Sequence, residues 1–238
     1  MNDLTIAILA GGRSTRLKDV ISAGQKVIAE IAGKPFICYL LDLILPLGIK
    51  NVFLCTGYEA ETVEKRLGSS YCGMALSYSR EPEPLGTGGA VRLILEKSAS
   101  RYILVLNGDS YLRCDLNIFI DWFMNRKLEA ALLTTEIQNV SRFGNVLTDE
   151  NERILLFEEK GSVSTRGCIN AGIYIFHRSI LEKIPLNKNC SLEKGLFPIL
   201  VNEKKLFGHN ISSPFIDIGV PESYKNAEMF IKIILKDE

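Results

Sequence analysis

The residues best suited to chemistry lie in a glycine-rich segment that directly follows an apolar, β-branched run at residues 5–9. Glycines leave backbone N–H groups open to an anion, and cationic side chains add positive charge. The spacing matches neither the dinucleotide fingerprint nor the P-loop, and an ordinary tight turn is the alternative. The segment is suited to binding a polyphosphate. Its candidate residues are Leu9, Ala10, Gly11, Gly12, Arg13, Ser14, Thr15 and Arg16, followed by the further cation Lys26.

Two carboxylates have the surroundings of metal ligands. Asp109 follows an apolar run at residues 102–106, behind Asn107 and Gly108, and we expect the small Gly108 to let a nucleotide approach. Asp217 stands among apolar residues and would be costly to desolvate without a cation. Such carboxylates can hold Mg²⁺ on an α-phosphate. The alternative is a capping or surface aspartate at either position.

The elements that position these residues follow an alternating pattern. Strands are predicted at residues 5–9, 51–56, 75–78 and 102–106, and helices at residues 35–47, 59–67 and 89–97. This rhythm predicts an α/β fold with a Rossmann-like mixed, mostly parallel sheet flanked by helices. Ligands of such sheets bind outside the carboxyl ends of the strands, where the glycine-rich segment and Asp109 fall.

The second half of the chain has a different pattern. After a helix at residues 115–127 come strands at residues 130–136, 144–147, 153–157 and 169–176, and a helix at residues 221–235. We interpret residues 1–238 as one domain. Residues 1–128 form a nucleotide-binding half, and residues 129–238 form a half that binds a different ligand.

Composition excludes several classes of protein. The chain has 238 residues, 47% of them hydrophobic, which argues against disorder. Lys+Arg and Asp+Glu are 28 each, without the cationic surplus that nucleic-acid binding needs. No apolar run approaches the roughly 18 residues of a membrane span, and no signal-peptide pattern is present, so we expect a cytoplasmic protein. The six cysteines lack C-x-x-C spacing, which argues against zinc.

Seven motifs occur in the order typical of one enzyme family. The first comprises residues 9–17, with Lys26 and a G-K-P at residues 33–35. The others are L-G-T-G-G-A at 85–90, N-G-D at 107–109, F-G-N-V at 143–146, F-E-E-K at 157–160, N-A-G-I-Y at 170–174 and F-I-D-I-G-V-P-E at 215–222. Together they resemble the signature of the sugar-1-phosphate nucleotidyltransferases, the nucleotide-sugar pyrophosphorylases. Two positions depart from it, because Ser14 replaces a usual glycine and Gln25 replaces the proline that commonly precedes the lysine.

The resemblance implies a GT-A-like, nucleotide-diphospho-sugar transferase fold and a reaction between a sugar 1-phosphate and a nucleoside triphosphate. It implies catalytic roles for Arg16, Lys26 and Asp109, and places Asp109 and Asp217 on one Mg²⁺. The nucleotide would also contact Gly86, Thr87, Gly88, Asn107 and Gly108. The sugar phosphate would contact Gly144, Glu158, Glu159, Lys160, Asn170 and Glu193, with the choice between the two adjacent glutamates left open.

Glu81 bears on the choice of base. It lies where uridylyl and thymidylyl relatives commonly have an amide side chain. A carboxylate only accepts hydrogen bonds, and guanine offers two adjacent donors, N1–H and N2–H₂. Glu81 therefore favours GTP if it faces the base, while a solvated surface glutamate is the alternative.

The short chain with its L-G-T-G-G-A motif looks most like the D-glycero-α-D-manno-heptose 1-phosphate guanylyltransferases of surface-glycan synthesis. Mannose 1-phosphate guanylylation and glucose 1-phosphate thymidylylation or uridylylation remain alternatives. A non-catalytic nucleotide-sugar sensor is a further class, although Arg16, Lys26 and both aspartates are present. A glycosyltransferase is disfavoured because residues 107–109 lack the first aspartate of D-x-D. No nucleic-acid or membrane partner is expected, and a homodimer is kept open.

Overall fold

A mixed eight-stranded sheet forms the centre of the structure, a computed structural model that describes residues 3–17, 21, 24–158 and 166–236. The strands are β1 Leu4–Leu9, β2 Glu30–Ile31, β3 Lys34–Pro35, β4 Asn51–Thr56, β5 Ser70–Tyr71, β6 Met74–Arg80, β7 Tyr102–Asn107, β8 Ser110–Leu112, β9 Ala130–Ile137, β10 Val146–Thr148, β11 Ile154–Phe157, β12 Gly167–His177, β13 Leu206–Asn210 and β14 Phe215–Asp217. The helices are α1 Phe36–Ile44, α2 Ala60–Leu67, α3 Gly86–Ile94, α4 Leu116–Asn125, α5 Arg178–Leu181, α6 Phe197–Asn202 and α7 Pro221–Lys236.

The strand order of the main sheet is β13-β9-β12-β7-β1-β4-β6-β5. The pairs β7–β1, β1–β4, β4–β6 and β13–β9 are parallel. The strand β12 runs antiparallel to both of its neighbours, β7 and β9. The predicted mixed, mostly parallel sheet is thus confirmed, and the carboxyl ends of β1, β4, β6 and β7 meet at one edge.

Helices cover both faces of the sheet, which explains the near-continuous apolar sequence of its central strands. In β7, Ile103, Leu104, Val105 and Leu106 are all fully buried. Leu104 and Leu106 pack with α1, α2, α4 and α7 on one face. Ile103 and Val105 pack with α3, α5 and α6 on the other.

Some elements differ from the sequence prediction. The helix expected over residues 89–97 is α3, which begins at Gly86, so the glycine cluster forms its first turn. A 3₁₀ turn at Leu45–Leu47 follows α1 and ends at Gly48, whose φ is +64°. A five-residue π-helix at Leu192–Leu196 was not predicted.

A short ribbon that the sequence pattern did not predict connects the two halves of the chain. Its strands β8 and β14 are antiparallel, and Asp217 is the partner of Ser110 in their register. The Ile218 N–H also donates to the Asp109 carbonyl at 2.8 Å. The ribbon therefore brings Asp217 beside Asp109. Within the described parts of the chain, no helix combines the length and hydropathy needed to cross a bilayer.

Candidate active site

Two adjoining clefts open at the edge where the parallel strands end. The first has a volume of about 560 Å³ and the second about 690 Å³. Arg13, Lys26, Asn107 and Asp109 line both of them. These four residues therefore mark the junction at which ligands in the two clefts would meet.

Most of the described candidate residues line these clefts. The first cleft is lined by Leu9, Gly11, Gly12, Glu81, Gly86, Thr87 and Gly108. The second is lined by Ser14, Thr15, Arg16, Asn170, Glu193 and Asp217. Ala10, Gly88, Gly144 and Glu158 line neither cleft. Glu159 and Lys160 lie outside the described residues.

The four candidates that line neither cleft have other contacts. Ala10 is fully buried, and its N–H donates to the Cys55 carbonyl at the end of β4 at 2.8 Å. The Gly88 N–H donates to the Cys190 carbonyl at 2.8 Å, so it is already bonded within the protein. The Gly144 N–H donates to Val140 at 3.1 Å, and Glu158 is exposed while its backbone pairs with Asn145.

Glycine is required at position 108 by packing within the protein, whereas the sequence suggested that it leaves room for a nucleotide. A Cβ atom at this position would lie 2.4 Å from the Leu9 carbonyl oxygen and 2.9 Å from Cγ1 of Val27. Its N–H also donates to the Leu9 carbonyl at 3.0 Å. The close approach of the turn after β7 to the end of β1 therefore explains this glycine without a nucleotide.

An ion pair occupies the junction of the clefts. Lys26 Nζ lies against Asp109 Oδ2, and both side chains are about one-fifth exposed, at 23% and 20%. Arg13 and Arg16 are exposed beside them. Lys26 thus neutralises the first carboxylate at the junction, and Arg13 and Arg16 add two cations to the lining of the second cleft.

The second carboxylate is strained by its surroundings. Burial, and then the charge of Asp109, raises the pKa of Asp217 from 3.8 to about 6. A hydrogen bond from the Gly219 N–H at 3.0 Å and the nearby cations Lys26 and Arg142 act in the opposite direction. A buried carboxylate that lies next to a second carboxylate fits a site for a divalent cation.

Among the described residues, no group of three or more His, Cys, Asp or Glu side chains could hold a metal. The Asp109–Asp217 pair still fits Mg²⁺, which is commonly bound by one or two carboxylates together with waters and substrate phosphates.

Glu81 reaches the first cleft from the end of β6. Its Oε2 accepts a hydrogen bond from the Leu85 N–H at 2.7 Å, just before α3 begins. Its Oε1 lies so close to Gly11 that a Cβ there would be 2.9 Å away. Burial raises the pKa of Glu81, while the Leu85 N–H lowers it. One carboxylate oxygen is therefore committed to the loop, and the other lies by the glycine-rich segment.

A hydrogen-bond network around Tyr174 connects the clefts. The fully buried Tyr174 hydroxyl accepts from the side-chain amides of Asn107 at 3.1 Å and Asn170 at 2.9 Å. It donates to Oε1 of Glu193 at 3.4 Å, and Thr87 donates to Oε2 of Glu193 at 2.8 Å. Residues expected to contact the nucleotide and residues expected to contact the sugar are thus joined through one phenol.

Sequence reasoning missed three residues at this site. Arg142 lines the second cleft, 3.5 Å from Oδ1 of Asp217, and packs over the Phe143 ring. Tyr58 lines the first cleft after β4. Tyr174 carried a usable signal, since a tyrosine in an otherwise apolar strand needs a partner for its hydroxyl. The only signal for Arg142 was its position directly before the F-G-N-V motif, and the sequence carried no signal for Tyr58.

Comparison with known proteins agrees with this geometry. The sequence profile of the Nucleotidyl transferase family matches residues 6–233. This chain belongs to that family. The D-glycero-alpha-D-manno-heptose 1-phosphate guanylyltransferase of Aneurinibacillus thermoaerophilus is 35% identical over 93% of this chain and 95% of its own length. The mannose-1-phosphate guanylyltransferase of Mycobacterium tuberculosis is 33% identical over 91% of this chain, which spans 61% of that protein.

Solved structures give the same relationship for the fold. HddC from Yersinia pseudotuberculosis superposes with a TM-score of 0.84 at 30% identity, over 95% of this nucleotidyl transferase and 99% of HddC. HddC complexed with GMP-PN superposes with a TM-score of 0.82. The family and fold expected from the seven motifs are confirmed.

Proposed function

We propose that this nucleotidyl transferase joins GTP to a sugar 1-phosphate, giving a GDP-sugar and pyrophosphate, with D-glycero-α-D-manno-heptose 1-phosphate as the sugar substrate. The observation that carries the proposal is the junction of two clefts at Lys26 and Asp109. The nucleotide occupies the first cleft and the sugar the second, so that their phosphates meet there. The near-full-length likeness to a heptose 1-phosphate guanylyltransferase supports the choice of sugar.

The reaction balances without a covalent enzyme intermediate. An oxygen of the sugar phosphate attacks the α-phosphorus of GTP in line. The bond from that phosphorus to the oxygen that bridges the α- and β-phosphates breaks, and the oxygen leaves with pyrophosphate. The total charge is the same on both sides, so the enzyme has to position two anions and reduce their repulsion.

Cations from the first half of the chain are placed for this task. At about 5 Å and an effective dielectric of roughly 20, one pair of unit charges repels by about 3 kcal/mol. Arg13, Arg16 and Lys26 approach the junction from the glycine-rich segment and the loop after it. We assign Arg16 and Lys26 to the triphosphate, with Arg13 beside them, because these side chains offset the charge where the phosphates meet.

Mg²⁺ is the cofactor that the carboxylates suit. Asp109 and Asp217 would hold it, and the pairing of β8 with β14, which brings Asp217 beside Asp109, supports this fit. When bound, the ion supplies positive charge to the phosphate oxygens around the reacting phosphorus. In the protein alone, the Lys26 ammonium stands beside Asp109, so Lys26 is free to turn to phosphate when another cation neutralises that carboxylate.

Guanine is assigned to the part of the first cleft near Glu81. The oxygen of Glu81 beside Gly11 can accept from N1–H or N2–H₂ of guanine, while the oxygen held by Leu85 fixes the orientation of the carboxylate. Glu81→Gln keeps the shape and adds a donor, so it should weaken GTP binding and leave UTP use less affected. Equal KM changes for both nucleotides would remove Glu81 from base selection.

The sugar is assigned to the second cleft. Asn170 and Glu193 line it. Among the described residues, Oε1 of Glu193 has only the 3.4 Å contact with Tyr174, so it can accept from a sugar hydroxyl. Glu158, Glu159 and Lys160 remain candidates from the sequence. Hydroxyl-rich sugars need both donors and acceptors, and an amide with a carboxylate supplies both.

A substrate matrix tests the proposal. The purified protein is incubated with Mg²⁺, one of GTP, ATP, UTP or dTTP, and heptose, mannose or glucose 1-phosphate. Pyrophosphatase-coupled phosphate release gives the rates, and mass spectrometry identifies the products. We expect GDP-heptose to form fastest. GDP-mannose as the main product would replace heptose 1-phosphate by mannose 1-phosphate as the proposed substrate. UDP-glucose or dTDP-glucose as the main product would overturn guanylyl transfer. Saturable nucleotide binding without pyrophosphate release would indicate a non-catalytic sensor.

Three coarser expectations extend the proposal. The two substrates are soluble metabolites, which supports a cytoplasmic location. The shared junction supports one domain made of residues 1–128 and 129–238. A homodimer is tested by light scattering after gel filtration, and a monomer mass near 26.5 kDa would exclude it under those conditions.

A further inference from the structure

The two departures from the family motif both lie beside Lys26, because Ser14 contacts its backbone and Gln25 directly precedes it in the chain. Ser14 is buried with a φ of +51°, a backbone region that glycine adopts more readily. Its Oγ accepts a hydrogen bond from the Lys26 N–H at 2.9 Å. Its carbonyl accepts from the Leu17 N–H at 2.9 Å and so begins the 3₁₀ turn Thr15–Leu17. The turn carries Arg16, so Ser14 connects the backbones that present both catalytic cations.

Gln25 anchors the backbone directly before Lys26. Its side chain is fully buried, and its Nε2 donates to the Tyr58 carbonyl in the wall of the first cleft. Its φ of −112° lies outside the range near −65° that proline allows, so the backbone here differs from one that proline would impose. Gln25 Oε1 is buried and has no hydrogen-bond partner among the residues that the structure describes. A buried amide that satisfies only its donor is poorly explained by folding stability alone.

We propose that the Ser14 hydroxyl and the Gln25 amide are positioning residues that hold Lys26 at the junction of the two clefts. They act through side-chain hydrogen bonds where the family motif usually has glycine and proline. Ser14 ties Lys26 to the Arg16 turn, and Gln25 ties it to Tyr58 at the first cleft. This inference rests on the proposed guanylyl transfer, because it assigns both residues to the placement of a catalytic cation.

The consequence is a separation between stability and activity. Ser14→Gly removes the acceptor for Lys26 but relieves the positive φ, so the variant should melt at the same or a higher temperature than the wild type. Its kcat should fall about three- to tenfold, the effect of losing one hydrogen bond that positions a reacting group. The KM for the sugar 1-phosphate should stay unchanged. If Ser14 only tolerated the turn and did not position Lys26, Ser14→Gly would leave kcat unchanged.

Two more variants separate the hydrogen bond from other effects. Ser14→Asn should recover kcat to within about threefold of wild type, because asparagine adopts this backbone region and offers an acceptor. Gln25→Met keeps the volume of the buried side chain and removes the unpaired Oε1. It should therefore preserve the melting temperature while lowering kcat by a similar three- to tenfold.

Lys127 is the matched control. It has the same φ of +51° but lies on the exposed turn after α4, and it lines neither cleft. Lys127→Gly should preserve or raise the melting temperature and leave kcat unchanged. Ser14→Gly should match it in stability and differ from it in rate.

The experiment measures steady-state GDP-sugar formation and thermal unfolding for the wild type and these variants. A wild type that makes no nucleotide-sugar overturns the proposed function. With an active wild type, loss of kcat in Ser14→Gly and Gln25→Met at preserved melting temperature supports the inference. Ser14→Gly with wild-type kcat overturns it, as does Ser14→Asn that stays as slow as Ser14→Gly.

Discussion

Asp217 yields a prediction about stability, because the fold buries this carboxylate near a second carboxylate, Asp109. Its side chain is 20% exposed, and its pKa is raised from 3.8 to about 6 by burial and by Asp109. A group whose pKa is raised in the folded state stabilises the protein below its unfolded pKa, and this contribution is lost as the pH rises through the folded pKa. Without Mg²⁺, the protein should therefore lose stability from this group between about pH 4 and pH 7.

The magnitude follows from the shift. The pKa of Asp217 rises from 3.8 to about 6, and each unit corresponds to roughly 1.4 kcal/mol. The ionised Asp217 therefore lowers the free energy of unfolding at pH 8 by at most about 3 kcal/mol. Asp217→Asn removes the charge and retains an oxygen that can accept from Gly219. The attraction of Arg142, 3.5 Å from Oδ1, lowers this pKa and is therefore already part of the net shift, and the 20% exposure of Asp217 makes the effect smaller than the upper value. We expect the metal-free variant to be about 2 kcal/mol more stable than wild type at pH 8.

Thermal unfolding in EDTA from pH 4 to pH 8 measures the effect. For a chain of this size, about 2 kcal/mol corresponds to a rise in Tm of about 4–8 °C at pH 8. At pH 4 the two proteins should melt at nearly the same temperature, because Asp217 is then protonated in the folded wild type. Added Mg²⁺ should raise the Tm of the wild type at pH 8 more than that of Asp217→Asn. Turnover of the variant should fall by about 100-fold or more.

Asp121→Asn is the matched control, because Asp121 is an exposed aspartate on α4 away from both clefts. Its Tm difference from wild type should be small and should not change with pH. The reasoning is refuted if Asp217→Asn melts at or below the wild-type temperature at pH 8, or if its difference from wild type is the same at pH 4 and pH 8.

Three further variants test other parts of the site. Asp109→Asn should lower kcat by about 100-fold or more with folding intact, measured by phosphate release and circular dichroism; near-normal turnover would place the metal elsewhere. Arg142→Gln should raise KM for the sugar 1-phosphate about three- to tenfold in steady-state kinetics and leave KM for GTP unchanged. The reason is that Arg142 lines the second cleft and not the first. An equal rise in KM for both substrates would contradict this. Tyr174→Phe removes the hydroxyl that accepts from the side-chain amides of Asn107 and Asn170. The variant should therefore be destabilised by about 1–3 kcal/mol and have a higher KM for the sugar 1-phosphate. A variant with wild-type Tm and KM would show that this hydrogen-bond network is dispensable.

The central strands were predictable because their patterns are local. The strand β4 was predicted at residues 51–56 and is Asn51–Thr56. The apolar run at residues 102–106 likewise indicated a central strand without any tertiary information. In the structure this run lies in β7, and Ile103, Leu104, Val105 and Leu106 are fully buried. By contrast, the start of α3 depends on contacts from far along the chain. The Gly88 and Gly89 N–H groups both donate to the Cys190 carbonyl, and no pattern near residue 88 indicates that partner.

The proximity of the two carboxylates was expected from family resemblance and not from local pattern. Asp109 and Asp217 are brought together by β8 and β14, strands of only three residues each. Segments this short carry too little periodicity to be recognised as strands. The family resemblance therefore indicated that Asp109 and Asp217 act together. The structure adds that this arrangement buries the carboxylate of Asp217 beside that of Asp109, which raises the pKa of Asp217.

The departures from the motif show a different limit of sequence reasoning. In the sequence, Ser14 and Gln25 are only two departures from a signature that usually has glycine and proline at these positions. In the structure, both side chains form hydrogen bonds that a glycine or a proline could not form. Ser14 keeps a positive φ although it is not glycine, so the surrounding loop determines that conformation, and the hydroxyl is an addition to it. The two substitutions thus add, at Ser14 and at Gln25 next to Lys26, side-chain hydrogen bonds that local sequence patterns do not indicate.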